Sequence, residues 1–385
     1  MTIAQATPIL AWLGEQESAM LALLEQLVNT DSGTYDKAGV DAVGTHVRHF
    51  LAAHGITCEK FANDRFGDGL RASVGEGSSG TILLMGHRDT VFPKGEAGRR
   101  PFRVADHRAY GPGVADMKAG LTMNAFVLAA LAKFGGAPGP VVGLFTADEE
   151  IGSPSSRALI EAEARRARAV FNSEPGRPSG AVVTGRKGGV FMHATIAGKA
   201  AHSGTSYADG ISAIEELARK ITALHALTDL EKGVTINVGI VSGGQSVNTI
   251  APSASCDIDL RFVTPTDRAT AMAAIEQIIA HNYVAGTASG LEVRGEFLPL
   301  VSSPQGDRLF RHYAMMARDL GIEVTSEFAG GCADSGFAAS TGAATLCAVG
   351  PIGARGHTPE EYLELSSLVK RAQILLLAIM RLDVA

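Results

Sequence analysis

The sequence predicts an α/β fold in which a smaller α+β domain is inserted into a larger domain built on a parallel sheet. In the first half of the chain, short continuous apolar segments, typical of strands buried on both faces, alternate with helical segments. From about residue 186 onward, apolar residues alternate with polar ones, as they do in half-buried antiparallel strands. We therefore expect a larger domain at residues 1–186 and 298–385, and an inserted domain at residues 187–297.

The individual elements follow from the period of the apolar residues. Buried strands are expected at residues 81–85, 141–147, 169–172 and 344–349, and helices at residues 9–28, 38–54, 118–134 and 307–320. Pro359, Glu360 and Glu361 are typical of the first turn of a helix, so we expect the last helix to begin there. In the inserted domain the expected order is strand, helix, strand, strand, helix, strand, which is typical of a small α+β sandwich.

Composition excludes several classes of protein. The 385 residues are 46% hydrophobic and 19% charged, and the net charge of −6 gives no reason to expect a nucleic acid or a membrane as partner. The N-terminal residues lack the basic segment and apolar block of a signal peptide, and the apolar run at residues 121–131 is too short to span a membrane. The four cysteines have no CxxC spacing and indicate reduced thiols in a cytoplasmic protein.

The first predicted strand ends in a His-x-Asp sequence. His87 and Asp89 are two residues apart on an extended chain, so their side chains point the same way. Ligands of open parallel sheets collect beyond the carboxyl ends of the strands. An Asp in that position can accept one imidazole N–H while the other ring nitrogen binds a metal. The alternative is a strand-end pair that makes surface hydrogen bonds, so this pair alone does not identify a metal site.

Acidic residues also follow the next two predicted strands. Glu149 and Glu150 follow the second strand and Glu174 follows the third, while Asp116 lies just before a helix. Each of these could be a solvated turn residue if it stood alone. Adjacent carboxylates, however, repel one another and are costly to desolvate unless a cation compensates them. Together with His87, they predict a metal site.

In order and spacing, these motifs resemble those of the di-zinc aminoacylase and carboxypeptidase family. The resemblance covers nearly the whole chain and implies a zinc-exopeptidase-like α/β catalytic domain with an inserted lid and dimerisation domain. The last two motifs look closer to the glutamate-carboxypeptidase branch than to the deacylases. The matching motifs are Gly-His87-Arg-Asp89-Thr-Val, Gly-Pro-Gly-Val-Ala-Asp116-Met-Lys-Ala-Gly, Asp148-Glu149-Glu150-Ile-Gly-Ser, Ser-Glu174-Pro, Gly-Lys-Ala-Ala-His202-Ser-Gly and Gly-His357-Thr-Pro.

The resemblance implies a ligand set for two Zn²⁺ ions per subunit, for which Co²⁺ or Mn²⁺ can substitute. One ion would be held by His87 and Glu174, the other by Glu150 and His357, and Asp116 would bridge both. One imidazole and one carboxylate per ion, with one shared carboxylate, leave each zinc an open position, as catalytic zinc requires.

The resemblance also implies roles around the metals. Asp89 would orient His87, and Glu149 would be the general base that takes a proton from water and hands it to the leaving amine. In the inserted domain, His202 would stabilise the oxyanion in the active site of the partner subunit. Asn248 and Arg261 would bind the free carboxylate of the substrate.

The inserted-domain residues also have simpler explanations. His202 lies in a turn rich in Gly and Ala and can be an ordinary turn residue. Arg261 shares one face of its strand with Asp257 and Asp259, so a local salt bridge is the alternative to substrate binding.

The sequence, with the family that it resembles, thus implies a cytoplasmic exopeptidase or amidohydrolase that is metal-dependent and forms a homodimer through the inserted domain. It would hydrolyse an amide bond next to a free C-terminal carboxylate in a small peptide or N-acyl amino acid, without nucleic acid or membrane as partner. A glutamate-releasing carboxypeptidase is the first hypothesis, and an N-acyl-amino-acid deacylase with the same chemistry is the second. The third hypothesis is a non-catalytic binding relative. The complete ligand set and the presence of Glu149 argue against it.

Overall fold

The structure, a computed structural model, describes residues 3–77 and 80–382 of the chain. Its helices are α1 (Ile3–Gly14), α2 (Glu17–Val28), α3 (Lys37–Ala53), α4 (Glu96–Arg99), α5 (Ala119–Phe134), α6 (Arg157–Ala164), α7 (Ala213–His225), α8 (Pro265–Ala280), α9 (Pro304–Asp319), α10 (Ser335–Ser340) and α11 (Leu365–Met380). Its strands are β1 (Cys58–Phe61), β2 (Gly69–Val74), β3 (Thr81–His87), β4 (Arg103–Ala105), β5 (Arg108–Tyr110), β6 (Val141–Thr146), β7 (Ala167–Asn172), β8 (Val182–Arg186), β9 (Gly188–Ala197), β10 (Thr235–Gly243), β11 (Ser253–Phe262), β12 (Ala288–Phe297), β13 (Ser326–Ala329), β14 (Thr345–Cys347), β15 (Gly353–Ala354) and β16 (Tyr362–Glu364).

Strand β3 lies near the centre of a mixed eight-stranded sheet with the order β1-β2-β6-β3-β7-β14-β8-β13. Both neighbours of β3 run parallel to it, with Gly86 beside Phe145 and Met85 beside Asn172. Every residue of β3 is buried, as predicted for a strand covered on both faces. Since parallel strands end at the same edge of a sheet, the residues that follow β3, β6 and β7 come together there.

Helix α5 lies in the apolar core of this part of the chain. Its residues from Ala119 to Leu131 are all buried, and it packs against α1, α2, α3 and α11. By length and composition the segment Val114–Phe134 could cross a membrane, but 94% of its apolar window is buried inside the protein. A buried core helix passes the same test, so this segment is only weak evidence for a membrane span.

Two helix predictions are wrong. The helix expected at residues 9–28 is two helices, α1 and α2, because the chain turns at Glu15 and Gln16 after Gly14, a poor helix former. The last helix does not begin at Pro359. Residues 362–364 instead form β16, which pairs with β5, and α11 begins only at Leu365. Tertiary pairing therefore overrides the helix-start pattern of the local sequence.

The chain divides into two compact units, Met1–Gly185 with Leu300–Ala329 and Ala333–Ala385, and Arg186–Pro299 with Gly330–Cys332. The second unit contains a four-stranded antiparallel sheet of order β10-β11-β9-β12, against which α7 and α8 pack. Along β11, buried and partly exposed residues alternate as predicted. The predicted fold class is confirmed, whereas the role of the inserted unit as a lid and dimerisation domain stays a prediction.

Candidate metal centre

Imidazole and carboxylate side chains gather at the carboxyl edge of the large sheet. His87 is the last residue of β3, Glu150 lies in a short turn after β6, and Glu174 follows β7. Asp116 lies in the turn that leads into α5, and His357 lies between β15 and β16. The structure thus brings together all five residues for which metal binding is predicted.

His87, Asp116 and Glu174 form the first ligand group, in which one potential ligand atom from each residue lies within 4.8 Å of the others. His87 Nε2 lies 3.2 Å from Asp116 Oδ1 and 3.7 Å from Glu174 Oε1. The loop that carries Glu174 packs closely on α5 at Gly120. A Cβ atom at Gly120 would lie 2.1 Å from the backbone oxygen of Ser173, so any other residue would displace this loop.

Asp116, Glu150 and His357 form the second ligand group, again with potential ligand atoms within 4.8 Å of one another. His357 Nε2 lies 3.2 Å from Glu150 Oε2 and 3.4 Å from Asp116 Oδ2. Asp116 therefore turns one carboxylate oxygen towards each group. Gly356 lies against this carboxylate, since a Cβ atom there would be 3.2 Å from Asp116 Oδ2.

The charges of the cluster favour a bound cation. Burial raises the pKa of Glu150 to about 7, and it also raises the pKa of Glu149 well above its usual value. Hydrogen bonds to Asp116 and Glu150 raise the pKa of His357 to about 10. Burial alone would lower the pKa of His87, but hydrogen bonds to neighbouring carboxylates raise it. Crowded carboxylates that draw protons to themselves and to nearby imidazoles form an environment in which a divalent cation is stabilised.

Asp89 contacts both His87 and the turn that follows β6. His87 Nδ1 lies 3.0 Å from the backbone oxygen of Asp89 and 3.4 Å from its Oδ1. The Asp89 carboxylate accepts hydrogen bonds from the Thr34 hydroxyl at 2.7 Å and from the N–H groups of Glu149 and Glu150, both at 3.2 Å. With Nδ1 facing these acceptors, the neutral ring carries its proton there and leaves Nε2 able to bind a metal.

Glu149 lies next to the first group and is 7% exposed. Its Oε2 is 4.0 Å from His87 Nε2, farther than the oxygens of Asp116 and Glu174. A buried carboxylate beside a set of potential metal ligands is a candidate for proton transfer.

Glu361 has no role predicted from the sequence, yet it lies fully buried against the turn that carries Asp116. Its carboxylate accepts hydrogen bonds from the N–H groups of Gly113 at 3.0 Å, Ala115 at 2.8 Å and Asp116 at 2.9 Å. Burial raises the pKa of Glu361 to about 7, although the hydrogen bond from the N–H group of Asp116 acts to lower it. The sequence contains no signal for this contact, because 245 positions separate Glu361 from Asp116.

Arg88, between His87 and Asp89, also has no predicted role. It is 1% exposed, and its guanidinium donates hydrogen bonds to the backbone oxygens of Thr146, Val40 and Asp68. These bonds tie the end of β3 to the end of β6, to α3 and to the residue before β2.

The second unit carries the predicted substrate-binding residues. His202 is exposed, and its Nδ1 accepts hydrogen bonds from the N–H groups of Gly204 at 3.1 Å and Thr205 at 3.2 Å. The neutral ring therefore carries its proton on Nε2, which can act as a donor. Asn248 is also exposed, and its Oδ1 accepts a hydrogen bond from the Ser246 hydroxyl at 3.0 Å.

Arg261 makes the local salt bridge that was the alternative to substrate binding. Its Nε lies 2.8 Å from Asp259 Oδ1, and its Nη1 lies 2.8 Å from Cys332 Sγ. Asp257 pairs instead with His193, at 2.6 Å. A carboxylate-binding role for Arg261 stays a prediction.

A pocket of about 370 Å³ adjoins the second ligand group, because Glu150 is one of its lining residues. Tyr35, Val91, Phe92 and Pro93 also line it. Tyr35 is 70% exposed and Val91 is 44% exposed. Exposed apolar side chains clustered in a concave surface are typical of a ligand-binding site.

Comparison with known proteins identifies relatives over most of the chain. Residues 83–381 match the peptidase family M20/M25/M40. The chain is 30% identical over 368 residues to carboxypeptidase G2 from Pseudomonas sp. (strain RS-16), an alignment that covers 93% of this chain and 88% of that protein. It is 33% identical over 208 residues to acetylornithine deacetylase from Klebsiella pneumoniae (strain 342), which covers 50% of this chain and 52% of that protein.

Solved structures share the fold. An M20 family metallo-carboxypeptidase from Sulfolobus solfataricus has a TM-score of 0.77 at 17% identity, over 94% of this chain and 99% of that chain. A tripeptidase from Staphylococcus aureus has a TM-score of 0.75 at 22% identity, over 94% of this chain and 98% of that chain. At such identities the likeness shows the fold alone.

Proposed function

The chain belongs to the peptidase family M20/M25/M40, and from this premise we propose that it is a di-zinc carboxypeptidase that releases a C-terminal glutamate from a small peptide or N-acyl amino acid. Membership of the family makes it a zinc-dependent metallopeptidase or amidohydrolase. The observation that carries the finer proposal is the pair of ligand groups that share Asp116, with Glu149 beside them. The preference for glutamate rests on the likeness of the His202 and His357 motifs to the glutamate-carboxypeptidase branch.

The residues of both groups fit zinc. Each group offers one imidazole nitrogen and two carboxylate oxygens, which are donors that zinc accepts in catalytic sites with one position left open. Two ions per subunit are proposed because Asp116 has one oxygen in each group. The chemistry that bound zinc supplies is Lewis acidity towards the scissile carbonyl and a lowered pKa of water.

Glu149 acts as the general base. It accepts a proton from the water whose oxygen attacks the amide carbon, and it then gives this proton to the nitrogen as the carbon–nitrogen bond breaks. The products are a carboxylic acid and a free amine. The hydrogen bond from the Glu149 N–H to Asp89 holds the base beside His87, which Asp89 also orients.

The inserted unit supplies substrate recognition. Arg261 and Asn248 bind the free carboxylate, for which a guanidinium fork and an amide are suitable donors. His202 of the partner subunit donates from Nε2 to the oxyanion, in agreement with its two hydrogen bonds at Nδ1. Asp259 holds the Arg261 side chain until substrate arrives.

The pocket beside Glu150 accepts the group on the acyl side of the scissile bond. Its lining combines apolar side chains such as Tyr35 and Phe92 with the charged Lys94 and Asp36, and the apolar part suits an uncharged acyl group. An N-acyl-amino-acid deacylase is therefore the second candidate function, and the identity to acetylornithine deacetylase over half of the chain favours it as well. A non-catalytic relative would need neither Glu149 nor a complete ligand set.

A cytoplasmic homodimer is the proposed form of the enzyme, with neither nucleic acid nor membrane as partner. Strand β10 is an edge strand of the inserted unit, and its Ile240 and Val241 are 63% and 57% exposed. An exposed apolar edge strand is a surface on which a second copy can pair. The four cysteines are free thiols, as expected in a reducing compartment.

A substrate screen on metal-loaded protein tests the proposal. N-acyl and N-benzoyl amino acids and dipeptides are incubated with protein loaded with Zn²⁺, Co²⁺ or Mn²⁺, and the released amine is measured. Faster hydrolysis of glutamate conjugates than of conjugates of other amino acids supports the carboxypeptidase. Rates that depend on the acyl group and vary little with the amino acid support the deacylase. A chelator should abolish either activity and added metal should restore it. Active protein with only trace metal by elemental analysis would refute the metal-dependent mechanism.

A further inference from the structure

Glu361 joins two parts of the candidate metal centre that are distant in sequence. It lies four residues after His357, and all of its hydrogen bonds described above go to the turn that carries Asp116. The carboxylate is 0% exposed, so these N–H groups are its hydrogen-bond donors in place of water.

The turn around Asp116 needs an acceptor of this kind. Asp116 has φ −110° and ψ 91°, and Met117 has φ −131° and ψ 41°, so the backbone leaves the helical conformation here. Its N–H groups at Gly113, Ala115 and Asp116 converge on Glu361. A buried N–H group without an acceptor is destabilising, so this conformation depends on the carboxylate.

We propose that Glu361 is a positioning residue for the metal centre, which holds Asp116 so that one carboxylate oxygen faces each ligand group. Glu361 acts through the backbone of the Asp116 turn, from whose N–H groups it accepts its hydrogen bonds. The inference rests on the proposed di-metal site. It has a specific consequence: since Asp116 is shared, loss of Glu361 weakens both metal sites together, whereas loss of Glu174 or His357 weakens one site more than the other.

Glu361→Gln is the test variant, because the amide keeps the shape of the side chain but turns one acceptor into a donor that faces a backbone N–H group. Glu360→Gln is the matched control, since Glu360 is the exposed neighbour and undergoes the same change of charge. The dissociation constants of both Co²⁺ and both Zn²⁺ ions are measured on metal-free protein by competition with a chromophoric chelator. We expect Glu361→Gln to bind both ions about 10–100-fold more weakly, the usual loss when a partner of a metal ligand is removed. Glu360→Gln should stay within about 2-fold of the wild type.

A purely structural role gives a different result. In that case Glu361→Gln lowers the melting temperature of the metal-free protein but leaves both metal affinities within about 2-fold, which overturns the proposal. A positioning role also predicts that excess Co²⁺ restores much of the lost kcat. If Glu361→Gln does not fold, Glu361→Asp serves instead, because it keeps the charge but is too short to reach all three N–H groups. Wild-type protein that binds two ions without hydrolysing any substrate would refute the proposed function but leave this measurement intact.

Discussion

The inserted unit contains a fully buried ion pair next to an exposed ion pair of the same spacing. Lys220–Glu216 and Arg219–Glu215 both join residues i and i+4 on α7, at 2.8 and 2.6 Å. The side chains of the first pair are 0% exposed, and those of the second are 54% and 48% exposed. Because the pairs share helix and spacing, the contribution of burial to their stability can be measured directly.

Lys220→Met should destabilise the inserted unit by about 3–5 kcal/mol, since it leaves Glu216 as a buried charge without its cation. Lys220 also donates to three backbone oxygens at and just beyond the end of α8, which lose their donor. In this variant two backbone N–H groups still donate hydrogen bonds to the Glu216 carboxylate. The loss of unfolding free energy should therefore be smaller than for a fully isolated buried charge. Arg219→Met should cost no more than about 0.5 kcal/mol, as is typical of an exposed helical pair.

Urea denaturation gives the free energy of unfolding, and hydrogen exchange at β9 and β11 assigns the loss to the inserted unit. Trp12 is the single tryptophan and lies in the other unit, so its fluorescence reports separately on that part of the chain. Equal losses for Lys220→Met and Arg219→Met, within about 1 kcal/mol, would show that burial does not govern the strength of the pair.

The same pair gives a pH dependence of known sign. Burial alone would raise the pKa of Glu216, but hydrogen bonds from Lys220 and from the N–H groups of Val284 and Tyr283 lower it. The contribution of Glu216 to stability is therefore complete above the ordinary carboxyl pKa of about 4.3 and is lost as the pH falls towards the lower pKa of the folded state. The stability difference between wild type and Glu216→Gln should accordingly shrink below about pH 4, and a difference that grows there would contradict the lowered pKa.

The proposed chemistry makes further predictions. Glu149→Gln should keep its metal content by elemental analysis but lose about 10²–10⁴-fold in kcat, and a near-normal kcat would remove Glu149 from the mechanism. Mixing inactive His202→Ala and Glu149→Gln chains should recover activity, because a hybrid dimer contains one site with both residues intact; verified hybrids without activity would place His202 outside the partner's site. Amidation of the substrate carboxylate should cost about 2–5 kcal/mol in the wild type and almost nothing extra in Arg261→Ala, unless another residue binds the carboxylate. In a series of N-acyl substrates of increasing chain length, each added methylene that the pocket buries should raise kcat/KM by up to about 4-fold. Tyr35→Ser should reduce this increase per methylene. Phe134→Ser, a change at an exposed position on α5, is the control and should leave the increase in kcat/KM per methylene unchanged.

The sequence predicts the gathering of the five ligand candidates because their positions depend on a general property of parallel sheets. His87, Glu150 and Glu174 lie at or just after the ends of three adjacent strands, and strands that run in parallel end at the same edge. His357 and Asp116 come from turns outside these strands, and only the motif resemblance associates them with the edge. Site residues that are recognised by their side-chain type and by their place at strand ends can therefore be predicted from the sequence.

The side chains that hold the ligand-bearing segments in place cannot be predicted in this way, because their partners are backbone groups of distant segments. Glu361 accepts hydrogen bonds from the Asp116 turn, and Arg88 donates hydrogen bonds to three backbone oxygens. A backbone N–H or C=O group is present at almost every position, so residue type carries no information about which of them such a side chain will meet. Local pattern even misassigns Glu361, since Pro-Glu-Glu is typical of a helix start and pairing of β16 with β5 prevents that helix. A buried charge that binds only backbone groups thus depends on tertiary structure for its role, and for this reason substitutions at Glu361 test the metal centre more sharply than further changes among the ligands themselves.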